Sequence, residues 1–304
     1  MNAPPNPTSL DPHRTARIGF TYGVIAYAWW GIMPIYFKAL KAVPSIDIVA
    51  HRIVWSLLVL GGLLTAVRGW SAVRSALGNP KVRWMLLLSS VLIGTNWLFY
   101  VYSINSGHIL AGSLGYYLNP LANILLGRFV LKEHLTRAQW IAVGIAAAGI
   151  AVLAAGAFTT LWISLTLCFS FATYGLIRKM IAVDSLPGLA IETAILFPIA
   201  FGWLVMGGAE GRPLLGTNNV ESGLLIASGV VSTVPLLCFT AAARRLRYST
   251  VGMLQFIAPT LQFLLAVAIY REPFTAAHGV AFGCIWTALA IYTTAVIRKA
   301  RTAA

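Results

Sequence analysis

The chain has 304 residues, of which 59% are hydrophobic and only 10% charged, with a mean hydropathy of +0.80. Ordinary soluble domains carry roughly 25% charged residues because their surface faces water, so this composition excludes a soluble globular protein and requires lipid over much of the surface. The formal charge of +14 sits in short clusters between long apolar runs rather than in one basic stripe, which argues against nucleic acid as a partner and for an anionic membrane surface.

Residues 1–17, Pro-rich and polar up to Arg14 and Arg17, read as a disordered cytoplasmic tail. The first apolar run is expected to be retained, since no small-residue cleavage site follows a short apolar stretch. A spanning helix needs about 20 mostly apolar residues. Five such segments fall near 18–38, 47–67, 84–105, 108–130 and 138–156, and five more near 160–178, 187–207, 222–243, 248–270 and 276–297. Their connections are short, as at Ser106-Gly107, and leave no room for a soluble domain. The expected fold is therefore an all-α integral membrane protein of ten transmembrane helices. The Lys and Arg residues gather on the side that holds both termini, from Arg14 to Arg301, while the opposite side collects only Lys38, Lys41, Arg212 and Arg271. Positive residues are retained on the cytoplasmic side, so both termini, including the tail at 299–304, are placed in the cytoplasm.

An internal duplication follows from shifting the chain against itself. A shift of 139 lays Asn119-Pro120 on Ala258-Pro259 and Lys132-Glu133 on Arg271-Glu272, and a shift of 141 lays Lys38 on Lys179 and His51 on Glu192. The halves are 18–156 and 157–298. Five helices is an odd number, so the second half enters the membrane from the opposite side and the two repeats are inverted, with Glu133 and Glu272 at opposite faces.

Ionisable groups inside a bilayer are costly and so are functional candidates, here for proton coupling or as intramembrane charges: His51, Arg52 and Glu192. The alternative is local pairing or snorkelling near a helix end. Polar stripes at helical spacing give a second set. Tyr116, Asn119 and Asn123 share a face of the fourth helix, Asn96 and Tyr100 one of the third beside Trp97, and Gln255 and Gln262 fall at the repeat positions of Tyr116 and Asn123. With Tyr174, these are the expected substrate contacts, unless they serve only to bond helices together. Pro120 and Pro259 each free the carbonyl four residues earlier, that of Tyr116 and of Gln255, at the same places. Rings mixed with amides suit an uncharged or zwitterionic small molecule, aromatic or amino-acid-like, better than a metal ion. The small-residue runs of the fifth and tenth helices, such as Gly144 to Gly149, point to a peripheral or dimer-forming pair, so the chain is expected as a monomer or homodimer.

Cys168, Cys238 and Cys284 lack metal or disulfide spacing, and no phosphate-binding loop or His-Glu helix motif occurs, so neither an enzyme, an ATP-driven pump nor a cofactor is expected. The runs His51-Arg52-Ile53-Val54-Trp55-Ser56, Gly94-Thr95-Asn96-Trp97-Leu98-Phe99, Ser113-Leu114-Gly115-Tyr116-Tyr117-Leu118-Asn119-Pro120, Tyr174-Gly175-Leu176-Ile177-Arg178-Lys179 and Val234-Pro235-Leu236-Leu237-Cys238-Phe239 resemble the RarD branch of the EamA-type drug/metabolite transporters. That resemblance implies ten helices, a central cavity and alternating access in a bacterial inner membrane, and adds a chloramphenicol-like solute to the candidates. The expected function is a secondary transporter of a small organic solute. The competing readings are a membrane structural or receptor protein without transport, and a passive channel.

Overall fold

The computed structural model describes residues 12–105, 108–155, 161–269 and 276–302. The Ser106-Gly107 turn, Arg271, Glu272 and most of the expected N-terminal tail lie outside the described residues. Inside lipid every backbone polar group must be satisfied within its own segment, which leaves the helix as the economical form for a single apolar run. The described residues form twelve helices: α1 (Pro12–Ala39), α2 (Ser45–Ala66), α3 (Trp70–Gly78), α4 (Pro80–Asn105), α5 (Ile109–Phe129), α6 (Arg137–Ala154), α7 (Leu161–Met180), α8 (Ser185–Ala209), α9 (Asn219–Arg245), α10 (Tyr248–Gln255), α11 (Ile257–Ala268) and α12 (Ala276–Thr302).

A helix thus occupies each of the ten expected segments, with two departures. The expected ninth helix is divided at Phe256 into α10 and α11, three residues before Pro259. The second is α3, a nine-residue helix between the second and third expected segments whose Ala76 packs against Leu86, Ile177 and Ile191. Among the described residues, seven helices are long and apolar enough to cross a membrane: Arg14–Ala39, Ser45–Ala66, Pro80–Ser103, Arg137–Ala154, Leu161–Met180, Ser185–Ala209 and Asn219–Arg245, with a shorter apolar stretch, Gly279–Ala295, inside α12. Those outside the seven include α5, α10 and α11, which carry most of the polar stripes. Large apolar side chains such as Leu98, Ile199 and Met206 are exposed on the outside of the bundle, the face that lipid would cover.

Local chemistry ends and starts these helices. Thr136 and Gln139 form a reciprocal capping box at the start of α6, and the Asn218 side chain accepts from Glu221 N to begin α9, so donors without an intrahelical partner are satisfied. Arg68 and Lys132 adopt positive φ of 52° and 55° where α2 and α5 stop.

The packing repeats. α1 lies on α9 and α11, α2 on α8 and α9, α4 on α7 and α8, α5 on α7 and α10, and α6 on α12. Exchange of α1 with α7, α2 with α8, α4 with α9, α5 with α10–α11 and α6 with α12 returns the same set of pairs. The two halves are thus interleaved rather than side by side. Close crossings depend on small residues: a Cβ on Gly229 of α9 would lie 2.6 Å from the Trp55 backbone of α2, and one on Gly252 of α10 would lie 2.7 Å from the Pro120 carbonyl of α5. The α6–α12 pair, expected at the periphery, closes around Gly149 against Ala281 and Cys284.

Charged residues mark the two ends. Asp184 pairs with Arg244 at 2.5 Å and Glu133 with Arg247 at 3.8 Å at one end, while Asp47 pairs with Arg212 at 3.0 Å at the other. Arg244, Arg247 and Glu133 belong to the side expected to face the cytoplasm and Arg212 to the opposite one.

Gly252→Val should destabilise the protein by about 1–3 kcal/mol through overpacking at the α5–α10 crossing. Gly61→Ala, whose added methyl meets nothing within 4 Å, should be neutral or stabilising by up to ~1 kcal/mol. Thermal unfolding in detergent compares the two, and equal Tm values would contradict the close crossing.

Candidate functional site

A cavity of about 210 Å³ opens between the halves, far above the ~10–15 Å³ that holds one water. Its wall is contributed by α1 (Tyr27, Trp30, Met33, Phe37), α2 (Arg52), α4 (Asn96, Trp97, Tyr100), α5 (Tyr116, Tyr117), α7 (Phe171), α9 (Leu236) and α10–α11 (Gln255, Ala258, Pro259, Gln262). Most of the wall lies around the middle of the helices, with Met33 and Phe37 in the last two turns of α1, Tyr100 near the end of α4 and Arg52 in the second turn of α2 extending it toward one end. That is the Asp47–Arg212 end. Seven expected residues meet here: Arg52, Asn96, Trp97, Tyr100, Tyr116, Gln255 and Gln262.

Three of them commit amide atoms to helix packing. Asn96 Nδ2 donates to Leu167 O at 2.9 Å and to Ser170 Oγ at 3.1 Å, and its Oδ1 accepts from Tyr116 Oη at 3.4 Å. Gln255 Oε1 accepts from Asn123 Nδ2 at 2.7 Å, tying α5 to α10 beside the Gly252 crossing. Gln262 Nε2 donates to Trp30 O at 3.1 Å. The two prolines behave differently: Pro120 lies within a continuous α5, whereas Pro259 follows the division between α10 and α11.

Arg52 is the charged side chain of the cavity wall. Its Nε donates to Ser232 Oγ of α9 at 2.7 Å, and its guanidinium lies 5.0 Å from the centre of the Trp97 ring, a cation–π arrangement that fixes its plane.

The other expected residues are not on the wall. Asn123 lies behind Gln255, as described. Asn119 is fully buried with both side-chain polar atoms unpaired, and His51 is buried with Nδ1 unpaired. Glu192 of α8 and Tyr174 of α7 belong to a separate buried cluster: Glu192 accepts from Ser89 Oγ of α4 at 2.5 Å and from Tyr174 Oη at 3.3 Å, and Arg178 Nε lies 3.6 Å from its Oε1. Arg178 is fully buried, although the sequence places it among the cytoplasmic positive charges. Its spacing four residues after Tyr174 puts it on the same helix face, a signal that periodicity offers. Gly188 makes room for it, since a Cβ there would lie 2.6 Å from Cζ of Arg178.

Glu133 is the other functional group that sequence leaves obscure. Its carboxylate accepts from Tyr248 N at 2.6 Å, Ser249 N at 3.1 Å and Ser249 Oγ at 2.6 Å. A carboxylate at the exposed N–H groups of a helix start is favoured by hydrogen bonding and by the helix dipole, so Glu133, in the connection between α5 and α6, fixes the start of α10. Between this cap and the cavity lies an aromatic plug in which Tyr174 stacks on Phe239 and Tyr248 Oη donates to Ala172 O at 2.6 Å.

Comparison with known proteins decides the family. The EamA-like transporter family matches residues 17–155. Protein RarD of Escherichia coli K12 is 45% identical over 291 residues, 93% of this chain and 96% of its own length. The chain belongs to the RarD branch of the EamA family. An uncharacterized transporter of Vibrio cholerae is 43% identical, with coverage of 91% and 92%, and the chloramphenicol-sensitive protein RarD of Pseudomonas aeruginosa is 31% identical, with coverage of 91% and 93%. A solved protein crystal structure, 20% identical, superposes with a TM-score of 0.70 over 94% of this chain and 98% of its own, which shows a shared fold. Membership makes the chain a membrane transporter-family protein, in agreement with its long apolar helices.

The Arg178–Glu192 pair gives a sharp test, because removing one partner of a buried pair strands the other charge. Glu192→Gln should destabilise the protein by about 3–5 kcal/mol. The double variant Arg178→Gln with Glu192→Gln should recover part of that loss, and strictly additive unfolding free energies would show that the two do not interact.

Proposed function

We propose that this RarD-branch protein is a secondary transporter that carries a small organic solute across a bacterial inner membrane, both termini cytoplasmic, by rocking of two inverted halves, 18–156 and 157–298. The observation that carries the reading is a cavity walled by both halves whose off-centre wall positions have closed repeat equivalents. With shifts of 141 and 139, the wall residues Phe37 and Gln262, neither of them buried, correspond to Arg178 and Asn123, which are, whereas Trp30 with Phe171 and Tyr116 with Gln255 both line the wall, as positions near the middle would. Exchange of the roles of the halves would open the second set and close the first, which is how inverted repeats generate alternating access. The present arrangement is then the outward-facing one.

The coupling candidates fit into this scheme. Glu192 helps to hold the closed end through Arg178, Ser89 and Tyr174, so proton uptake by Glu192 would weaken that end and link pH to opening. His51, its repeat partner, occupies the matching place in α2. No cofactor or catalytic step enters the cycle. A closed second copy of the cavity supports transport over a protein without it, and a closed end supports alternating access over a permanently open channel.

Single cysteines test the exchange in a background lacking Cys168, Cys238 and Cys284. A cysteine at Gln262 should react with an impermeant thiol reagent from outside, and one at Asn123 from the cytoplasmic side. A transported solute should change the two labelling rates in opposite directions; rates that rise together would indicate a channel.

A further inference from the structure

We propose that the cavity is built for an organic anion, a solute whose carboxylate is gripped by the free edge of the Arg52 guanidinium while its ring or apolar body lies among Trp97, Tyr116 and Phe171. The assignment deepens the transporter reading above and rests on it. It begins from an imbalance of charge. The chain has 8 Asp and Glu residues, and the six among the described residues are all engaged away from Arg52. Asp47, five residues before it, accepts from Arg212 Nη1 at 3.0 Å and from Trp203 Nε1 at 2.7 Å. Glu133 caps α10, Asp184 pairs with Arg244, Glu192 with Arg178, and Glu210 with Arg212. Glu221 accepts from Thr217 Oγ1 at 2.7 Å. Asp11 and Glu272 lie outside the described residues.

The second step is to subtract what the cavity has already used. Asn96 is bonded at both ends of its amide, while Gln255 and Gln262 each commit one atom to the helix packing. Arg52 uses only Nε, toward Ser232; among the described residues no acceptor is bonded to Nη1 or Nη2. The Gln255 Nε2, the Gln262 Oε1 and the Tyr100 and Tyr117 hydroxyls remain as neutral groups, and the charged group left on the wall is the Arg52 guanidinium edge, a donor. A guanidinium whose Nε is anchored and whose face is covered by Trp97 presents a planar pair of N–H groups in one direction, the geometry that a carboxylate meets with two parallel hydrogen bonds. Ammonium and metal cations are repelled by the same group. Neutral amides offer a single acceptor oxygen and no compensating charge.

The rest of the wall sets the other half of the solute. Tyr100 and Tyr116 meet edge to face with centroids 5.5 Å apart, and Trp30 and Phe171 do the same at 5.9 Å. Such rings favour an aromatic or flat apolar body beside the charged head. The sequence suggests an uncharged or zwitterionic solute from rings and amides alone. Committing amide atoms to the protein and leaving Arg52 open moves the balance toward a negative head group.

Three probes sharing one ring and chain separate the head groups: 3-phenylpropionate, 3-phenylpropionamide and 3-phenylpropylamine, added to the purified full chain in lipid nanodiscs. The carboxylate should raise Tm, and the amide and amine should not. Arg52→Gln should weaken carboxylate binding by about tenfold or more, and Arg52→Lys should fall between, since lysine keeps the charge without the fork. An amide that stabilises as well as the acid, an acid that gives no shift, or undiminished acid binding to a folded Arg52→Gln protein overturns the proposal. The wild-type comparison decides it even where that variant does not fold. Flux into proteoliposomes keeps the two readings apart. A carboxylate that binds and is not carried counts against transport and leaves the anion site standing, whereas a neutral solute carried without any carboxylate binding leaves transport standing and removes the anion site.

Discussion

The charges on the second helix of each half, Arg52 half-buried on the cavity wall and Glu192 fully buried, constrain everything else in this bundle. Arg52 on α2 is bonded to Ser232 of α9, and Glu192 on α8 to Ser89 of α4. In each case a charge from one half is held by a serine from the third spanning helix of the other. A charge in an apolar bundle is expensive unless it is hydrogen-bonded and paired, so these bonds fix how the halves meet. The interleaved pairing of α2 with α9 and of α8 with α4 brings each serine to its charge, and the backbone contact of Gly229 with Trp55 brings α9 near enough for Ser232 to reach.

The same constraint explains why the two ends differ. Around Glu192, Arg178 supplies the opposite charge and Gly188 the space for it. At the position equivalent to Arg178 the first half has Phe37, which lines the cavity, so that end has a ring where the other has a buried arginine. One end is internally neutralised and packed; the other is left as a charged, ring-lined space. The division of α10 from α11 adds to the difference. Pro259 falls next to the cavity, while Pro120 sits in a continuous α5 whose carbonyl lies against Gly252. Equivalent prolines therefore have unequal consequences because their helices have unequal neighbours.

Much of the fold was legible because lipid makes it so. Apolar runs of spanning length are driven into helix, and helix occupies each of the ten expected segments, of which seven are long and apolar enough to cross a membrane among the described residues. The helix α3 was not, since a nine-residue amphipathic turn lacks the length that marks a span. The site was legible in part. Helical spacing found the faces carrying Asn96, Tyr100, Tyr116, Gln255 and Gln262, but spacing gives a direction and not a partner. Whether an amide faces a solute or another helix depends on the neighbour's distance, and Asn123 against Gln255 is such a case. Arg178 was hidden for a related reason. It adjoins Lys179, which bonds Ala243 O at 3.0 Å at the end of α9, and two adjacent basic residues at a helix end read alike until packing places one inside and the other at the rim.

The neutralised end indicates what closing the other would require. Arg178 is buried in company with a carboxylate, and an arginine keeps its charge in any protein environment. Closing the cavity around Arg52 would bury that charge in the same manner. Among the described residues no acid is free to accompany it. A solute carboxylate would take the place at Arg52 that Glu192 takes at Arg178, and an empty cavity would have to close on an unpaired charge. Under the proposed cycle and anion site, the loaded protein would cross between its two states more readily than the empty one. Exchange of solute on one side for solute on the other would then be faster than net flow, a bias set by the missing counter-ion itself.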